Sequence, residues 1–129
     1  MLSDVKLQPM LPVSDLSAAE KFYEKTLGLQ KVGGMPGVAT TYKSGDSTFN
    51  VYRSEFAGTN QGTAAVWEVD DVEATAKDLK SKGVKFESYD LPETTRKGDI
   101  HYAGETRVAW FKDPAGNILS IQNRHPGKH

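Results

Sequence analysis

The stretch FKDPAGNILSI, residues 111–121, is typical of two strands joined by a tight turn. Pro114 suits such a turn because its ring holds φ at about −65°, and Gly116 can adopt the positive φ that the turn needs. Side chains of the second strand alternate between the two faces, so Leu119 and Ile121 share one face and Ser120 lies on the other. The stretch therefore predicts a β-hairpin that presents a small polar side chain on the face opposite its apolar residues.

The composition indicates one compact domain without a charged partner. A chain of 129 residues can bury a core without a metal or disulfide bonds. Its 16 Lys and Arg and 17 Asp and Glu give a formal charge of −1, so neither nucleic acid nor a membrane is expected as a partner. The sequence has no cysteine, long apolar run or secretory leader, and we expect a cytoplasmic protein. Residues 125–129 are expected to form a flexible tail.

An internal repeat organises the chain. Val13-Ser14-Asp15-Leu16 recurs as Val69-Asp70-Asp71-Val72. The third residue of each copy, Asp15 or Asp71, suits a helix N-cap. Apolar residues at helical spacing follow each copy: Leu16, Ala19, Phe22, Tyr23 and Leu27 in the first, and Val72, Ala76, Leu79 and Val84 in the second. Gly28 and Gly83 are placed to end these helices. Two equivalent helices are therefore predicted.

Strands flank both predicted helices in the same order. They are predicted at 6–13, 29–32, 38–43 and 48–53 in the first copy, and at 64–69, 85–89, 107–112 and 118–123 in the second. A long loop, rich in Pro, Gly and charged residues, is predicted at 90–105. The chain thus divides into two βαβββ modules, 5–53 and 64–124, joined by the polar linker 54–63.

Two stretches carry a family resemblance: LPVSDLSAAEKFYEKTLGL, residues 11–29, and VAWFKDPAGNILSI, residues 108–121. In tandem βαβββ modules they resemble the vicinal oxygen chelate superfamily, which includes glyoxalase I, extradiol dioxygenases, fosfomycin-resistance thiol transferases and bleomycin-resistance proteins. The resemblance implies an α+β fold, in which both modules form an open, cup-shaped mixed β-sheet with the helices outside and a ligand cavity on the concave face. It also implies a homodimer, in some members with modules exchanged between chains.

The resemblance also indicates where metal ligands lie in the metal-dependent members. It places them at Gln8 and Asn50 in the first module and at Ala64 and Ser120 in the second. Only Gln8 is a residue type that the family uses at its position, and Ser120 lies where a metal enzyme of the family carries glutamate. Transition-metal sites generally take at least three ligands from His, Asp, Glu or Cys. We therefore predict no metal and no other cofactor.

The predicted ligand site follows from strand alternation, which separates polar from apolar side chains. One face holds Leu11, Val13, Phe49, Val51, Trp67, Leu119 and Ile121, and the opposite face holds Gln8, Met10, Asn50, Tyr52, Ala64, Val66, Ser120 and Gln122. The second set mixes amides, a hydroxyl and a phenol with apolar patches, as small-molecule pockets do. Two members are equally compatible with a structural role, since Gln8 can pair with a neighbouring polar group and Asn50 can lie exposed at a strand end.

Three further residues are candidate ligand contacts. His101, in the predicted loop, suits a lid that transfers protons, although such a histidine is more often solvated. Trp110 can stack on a planar ligand or simply pack. Arg107 can bind a carboxylate or phosphate, or pair with Glu68 or Glu105 at the surface.

Three functions remain open, in order of preference. The first is a metal-independent binding protein of the bleomycin-resistance type, with a drug or a metabolite as its ligand. The second is an enzyme of the same superfamily, of the lyase, isomerase or thiol transferase type, with an unusual or misassigned metal site or with none. The third is a non-catalytic dimeric interaction protein. The first is favoured because Asn50, Ala64 and Ser120 are not metal-ligating residue types.

Overall fold

The structure, a computed structural model, describes residues 1–123 and contains two compact units. Unit 1 comprises residues 1–59 and 114–117; unit 2 comprises residues 60–113 and the chain from residue 118 onward. Arg124, the predicted end of the second module, and the predicted tail 125–129 lie outside the described residues. No helix within residues 1–123 has the length and apolar character that crossing a membrane requires.

Unit 1 has the predicted β-α-β-β-β order. After a short 3₁₀ turn, Leu2–Asp4, its elements are β1 (Met10–Val13), α1 (Leu16–Lys21), a π-helical turn (Phe22–Thr26), β2 (Gln30–Met35), β3 (Ala39–Ser44) and β4 (Ser47–Arg53). The sheet order is β1-β4-β3-β2, with β1 parallel to β4 and the other pairs antiparallel. The strand predicted from residue 6 begins only at Met10, because Pro9 has no N–H to donate to a ladder.

The helix of unit 1 begins and ends as the sequence predicts. The Asp15 carboxylate accepts a hydrogen bond from the Ala18 N–H at 3.1 Å, and Gly28 follows the last turn with φ 74°. Beneath the helix, the rings of Tyr23, Tyr42 and Phe49 pack at centroid distances of 5.7 to 5.8 Å. This aromatic cluster forms the core of the unit together with buried aliphatic residues such as Leu11 and Val51.

Unit 2 repeats the plan with an insertion. Its elements are β5 (Thr63–Val69), α2 (Val72–Ser81), β6 (Phe86–Glu87), β7 (Thr95–Lys97), β8 (Ile100–Ala103), β9 (Thr106–Lys112) and β10 (Ile118–Asn123). The sheet order is β5-β10-β9-β8-β7, with β6 also paired to β9, and only β5 and β10 run parallel. Asp71 caps α2 by accepting from the Ala74 N–H at 3.0 Å, and Gly83, at φ 97°, follows the helix. The two predicted α+β modules are therefore confirmed as tandem copies with mixed sheets.

The loop predicted at 90–105 is wrong over much of its length. Residues 95–103 form the β7–β8 hairpin, in which Lys97 pairs with Ile100 across a two-residue turn of Gly98 and Asp99. Gly98 takes φ 60°, as such turns require. Strands of three and four residues are too short to give a clear alternation, so the sequence pattern did not reveal them. The strand predicted at 85–89 is shorter, at 86–87.

The turn of the predicted β9–β10 hairpin is confirmed and belongs to unit 1. Gly116 has φ 92°, and Asn117 is buried and donates from Nδ2 to the Pro12 carbonyl oxygen at 2.8 Å. Gly58 approaches the turn so closely that a Cβ at this position would lie 2.6 Å from the Ala115 carbonyl oxygen. The turn is therefore fixed by a buried hydrogen bond and by close backbone contact.

Candidate functional site

The sheet of unit 2 has one face towards α2, which contacts β9 and β10, and an opposite face that carries the predicted site residues. On the α2 side, Ala109, Phe111, Leu119 and Ile121 are buried, as alternation predicts. On the opposite face a cavity of about 370 Å³ is lined by Thr63, Ala64, Ala65, Val66, Val108, Trp110, Ser120 and Gln122. We call this side of the sheet the cavity face.

Trp110 forms the centre of the cavity face. It is paired across the sheet with Ser120 on β10, and Ser120 is paired in turn with Val66 on β5. The indole Nε1 donates to the Thr63 hydroxyl oxygen at 3.1 Å, although Thr63 lies on β5, beyond β10. The ring must therefore extend across β10 over its direct neighbour Ser120, which is only 2% exposed. A small side chain is needed beneath the ring.

A β-bulge in β5 brings Thr63 to this face. Thr63 is paired with Ile118, but Ala65 is paired with Leu119, so Ala64 is an extra residue in β5. Strict alternation assigns Ala64 to the cavity face and Thr63 to the other, whereas the bulge lets both line the cavity. Sequence reasoning missed Thr63, since no residue type in TAAVWEV marks the bulge. It also left out Val108, which lines the cavity too.

His101 lies on the cavity face as a buried strand residue. It is paired with Val108 in the β8–β9 ladder and is 0% exposed, so a lid or solvated position is wrong. Its Nε2 accepts a hydrogen bond from the Tyr89 backbone N–H at 3.1 Å, and its ring meets the Trp110 ring edge to face at a centroid distance of 4.9 Å. Burial in a hairpin was not foreseen because the hairpin itself was not.

Tyr89 completes this cluster, although sequence reasoning did not select it. Its ring packs against Trp110 at 5.3 Å, and burial, with a contribution from the charge of Glu87, raises the pKa of its hydroxyl. The Tyr89 hydroxyl and Nδ1 of His101 are both buried, and neither has a hydrogen-bond partner among residues 1–123. The cluster thus contains two unsatisfied polar atoms next to the cavity-lining indole.

Arg107 is not brought to the cavity face. On β9 it shares the α2 side with Ala109 and Phe111, and its guanidinium lies 3.4 Å from the Glu73 carboxylate. Glu73 also accepts from the Tyr102 hydroxyl at 2.9 Å. The predicted partners Glu68 and Glu105 are wrong, because α2 supplies a carboxylate on the side to which Arg107 points.

In unit 1 the predicted amides bind one another. Asn50 Nδ2 donates to Gln8 Oε1 at 2.9 Å, and the Thr41 hydroxyl donates to Asn50 Oδ1. Tyr52 lies two residues further along β4, half-buried on the same side as Asn50, while Phe49 and Val51 are buried on the other. The structural alternative for Gln8, pairing with a polar neighbour, is thus realised.

The donor atoms at the four ligand positions do not fit a transition metal. Ala64 offers no side-chain donor, Ser120 offers only a hydroxyl and is buried, and Gln8 and Asn50 are bonded to each other. Within residues 1–123 no group of three or more His, Cys, Asp or Glu side chains is arranged to hold a metal ion. The side chains at these four positions thus lack the imidazole, carboxylate and thiolate groups that transition metals prefer.

Comparisons with known proteins agree with this architecture. Residues 7–121 match the family model described as Glyoxalase/Bleomycin resistance protein/Dioxygenase superfamily. A search of curated protein sequences finds no match to the chain.

Three solved structures illustrate the similarity in fold. Lactoylglutathione lyase from Agrobacterium tumefaciens has a TM-score of 0.70 at 20% identity, over 92% of each chain. A bleomycin-binding protein complexed with bleomycin has 0.69 at 20% identity, over 94% of this chain and 99% of that one. Fosfomycin resistance protein FosX from Mesorhizobium loti has 0.66 at 13% identity, over 95% and 94%. At these identities the similarity concerns the fold alone.

Proposed function

Because the chain belongs to the Glyoxalase/Bleomycin resistance protein/Dioxygenase superfamily, we propose that it is a metal-independent protein that binds a small molecule on the cavity face of unit 2. The observation that carries the proposal is the position of the Trp110 indole, which extends over Ser120 to Thr63. The same ring crosses β10 next to position 120, and it offers a flat apolar wall to a ligand.

The lining of the cavity supports this proposal. Its volume of about 370 Å³ lies in the range of small-molecule sites, and its lining is mainly apolar with a few polar groups. Gln122 supplies an amide, Thr63 a hydroxyl, and Val66 and Val108 apolar contact. Such a lining suits a drug or a metabolite with a planar apolar part. Gln8, Asn50 and Tyr52, on unit 1, stay predicted ligand contacts.

The family contains both binding proteins and enzymes, so membership does not decide between them. One similar structure contains bound bleomycin, whereas another is a lactoylglutathione lyase. The donor set at Gln8, Asn50, Ala64 and Ser120 favours binding without a metal. A location in the cytoplasm and the absence of nucleic-acid or membrane partners also belong to the proposal, and the balanced charge of −1 supports the absence of such partners.

A ligand screen with matched variants tests the proposal. Antibiotics and metabolites that raise the melting temperature are titrated by calorimetry against the wild type, Trp110→Leu and Arg107→Leu. We expect Trp110→Leu to weaken binding about tenfold or more through lost aromatic contact. Arg107→Leu, a change on the same strand but on the opposite face, should bind as the wild type does, with circular dichroism confirming that both variants fold.

Two results would contradict the proposal. Unchanged affinity in folded Trp110→Leu would move the site away from the cavity face. Elemental analysis of the purified protein that finds about one zinc, nickel, iron or manganese per chain would overturn metal independence.

A further inference from the structure

The two unsatisfied atoms beside Trp110 point to the chemistry of the ligand. Buried polar groups in folded proteins nearly always have a hydrogen-bond partner, and a buried donor left unpaired is costly. Nδ1 of His101 and the Tyr89 hydroxyl have none among residues 1–123. Both rings lie edge to face against the Trp110 ring, at centroid distances of 4.9 and 5.3 Å. The unsatisfied atoms therefore share one aromatic neighbour with the cavity.

The hydrogen bond to Tyr89 determines the tautomer of His101. Nε2 accepts the Tyr89 backbone N–H at 3.1 Å, so Nε2 cannot itself carry a proton. The proton of a neutral imidazole is then on Nδ1, which becomes a hydrogen-bond donor. Nδ1 of His101, rather than Nε2, is thus the atom through which the ring can donate a hydrogen bond.

We propose that Nδ1–H of His101 and the Tyr89 hydroxyl form the polar end of the cavity, and that the ligand is an aromatic ring bearing an acceptor oxygen, such as a ring carbonyl. This inference rests on the proposed function, because it uses the same cavity face. The oxygen accepts from Nδ1–H, and the Tyr89 hydroxyl donates to the same ligand. The ring packs against the indole of Trp110, which lines the cavity and contacts the rings of both His101 and Tyr89.

The charges around the cluster fit an acceptor rather than a cation. His101 on β8 is paired with Arg96 on β7, and Nη1 of Arg96 donates to the Ser88 hydroxyl oxygen at 2.6 Å. Glu87, the nearby carboxylate paired with Trp110 across the strands, has the ammonium group of Lys112 3.7 Å away. A ligand cation at this position would face the donor N–H of His101, with an arginine on the neighbouring strand, whereas an acceptor oxygen complements that N–H.

Access to His101 requires the indole to move, because His101 has no exposed surface. The polar edge of the indole is held by its hydrogen bond to Thr63, which is an exposed residue at the start of β5. A ligand reaches the polar end when this bond opens and the indole swings over the bound ring. Thr63 then acts as a latch, and binding involves a side-chain rearrangement.

A pair of probes that differ only in the acceptor oxygen tests the inference. 1-Indanone carries a ring carbonyl, and indane is the same bicycle without it. We expect 1-indanone to bind about tenfold more tightly than indane, since one buried hydrogen bond is gained. Nitrogen-15 spectra of the histidines should show the Nδ1–H tautomer at His101 in the free protein, and the Nδ1 signal should shift with 1-indanone but not with indane.

Two tyrosine variants separate ligand binding from a structural role. Tyr89→Phe removes a hydroxyl without a partner, so the melting temperature of the free protein should stay the same or rise while the affinity for 1-indanone falls about threefold or more. Tyr102→Phe is the matched control, because Tyr102 follows His101 on β8 and its hydroxyl bonds to Glu73 on the α2 side. Its affinity for 1-indanone should equal that of the wild type.

The possible outcomes distinguish this inference from the proposed function. Equal affinities for 1-indanone and indane would mean an apolar cavity without a polar end, which overturns the inference and leaves small-molecule binding intact. A lower melting temperature of Tyr89→Phe with unchanged affinity would make the hydroxyl structural and also overturn it. Failure of both probes to bind at millimolar concentration overturns it too, while the wider ligand screen still decides the proposed function by itself.

Discussion

Ser120 is the residue whose size determines what the cavity face can contain. It is 2% exposed because the indole of its cross-strand partner Trp110 extends over it towards Thr63. A serine is small enough to fit at this position without displacing the ring. The glutamate that metal enzymes of the family carry there is larger, and its carboxylate would also require a cation to balance its charge. The identity of one small side chain and the position of one large one are therefore coupled.

Ser120→Glu should accordingly destabilise the protein. Overpacking and burial of an unpaired carboxylate beneath the indole should lower the free energy of unfolding by about 1 to 3 kcal/mol, measured by urea denaturation. Gln122→Glu, two residues along the same strand and half-buried on the same face, is the control and should cost less. Equal stability of both variants would show that the indole does not constrain position 120.

The environment of the Tyr42 hydroxyl predicts that the protein loses free energy of unfolding at alkaline pH. Burial, together with the hydrogen bond to Glu24 and the charges of Glu24 and Glu20, raises the pKa of the Tyr42 hydroxyl above its usual value. An unfolded tyrosine ionises at about pH 10, whereas folded Tyr42 keeps its proton there, so the free energy of unfolding should fall as pH rises beyond about 10. Tyr42→Phe should make the free energy of unfolding less dependent on pH, by an amount that corresponds to at most about one proton released on unfolding. Denaturation series between about pH 9 and 11 measure this dependence.

Tyr52 provides the control for that series. Tyr52→Phe makes the same substitution on β4, on the side of the sheet opposite to Phe49 and at a half-buried position, and so shows what the loss of a tyrosine does outside the aromatic cluster. Some dependence should survive in Tyr42→Phe, because burial raises the pKa of Tyr89 and the hydrogen bond to Glu73 raises that of Tyr102. A slope in Tyr42→Phe identical to that of the wild type would contradict the prediction.

At the scale of elements, the sequence predicts what local chemistry specifies. Asp15 and Asp71 cap helices because their carboxylates can reach free N–H groups three residues on, and both caps are confirmed. The hairpin turn at 113–117 follows from Pro and Gly in the same way. The β7–β8 hairpin and the bulge at Ala64 were missed, because both depend on pairing with distant strands. For the same reason, the sequence predicted neither Thr63 as a cavity residue nor the burial of His101.

The bulge gives a prediction at this scale. If Thr63 holds the indole through its hydroxyl, Thr63→Val, which keeps the branched shape, should free the ring of Trp110 while β5 stays paired. With 5-fluorotryptophan incorporated, the fluorine resonance of Trp110, assigned with Trp110→Phe, should shift or broaden in Thr63→Val. Trp67, stacked on Phe111 at 6.3 Å on the α2 side, is the internal control and should not change. An unchanged Trp110 resonance would contradict a latching role for Thr63.

At the scale of the whole molecule, two copies of one plan carry different surfaces. Unit 1 and unit 2 share the capped helix and the mixed sheet, as the repeat predicts. In unit 1 the amides of Gln8 and Asn50 bond to each other, whereas in unit 2 the equivalent positions are Ala64 and Ser120 beneath and beside an indole. The two units therefore share a backbone plan, whereas the residues on one face of each sheet differ. For this reason the fold could be predicted from the sequence, and the site only in part.

The exposed edge of the unit 1 sheet argues for a second copy of the chain. Every residue of the edge strand β2 is exposed, and Val32 and Met35 within it are 46% and 62% exposed. An unprotected edge strand with apolar side chains is a template for pairing with another chain, and soluble proteins rarely leave one open. Together with the homodimer that the family resemblance implies, this predicts a dimer in which β2 takes part.

Light scattering at micromolar concentration should therefore give twice the chain mass of 14.1 kDa. Val32→Lys combined with Met35→Lys places two charges on the β2 edge, so it should yield a folded monomer, because like charges facing each other across a two-fold interface oppose pairing. Leu91→Lys, at a comparably exposed apolar residue of unit 2, is the control and should remain dimeric. A wild-type mass of 14.1 kDa would rule out the dimer, and a dimeric double variant would move its interface away from β2.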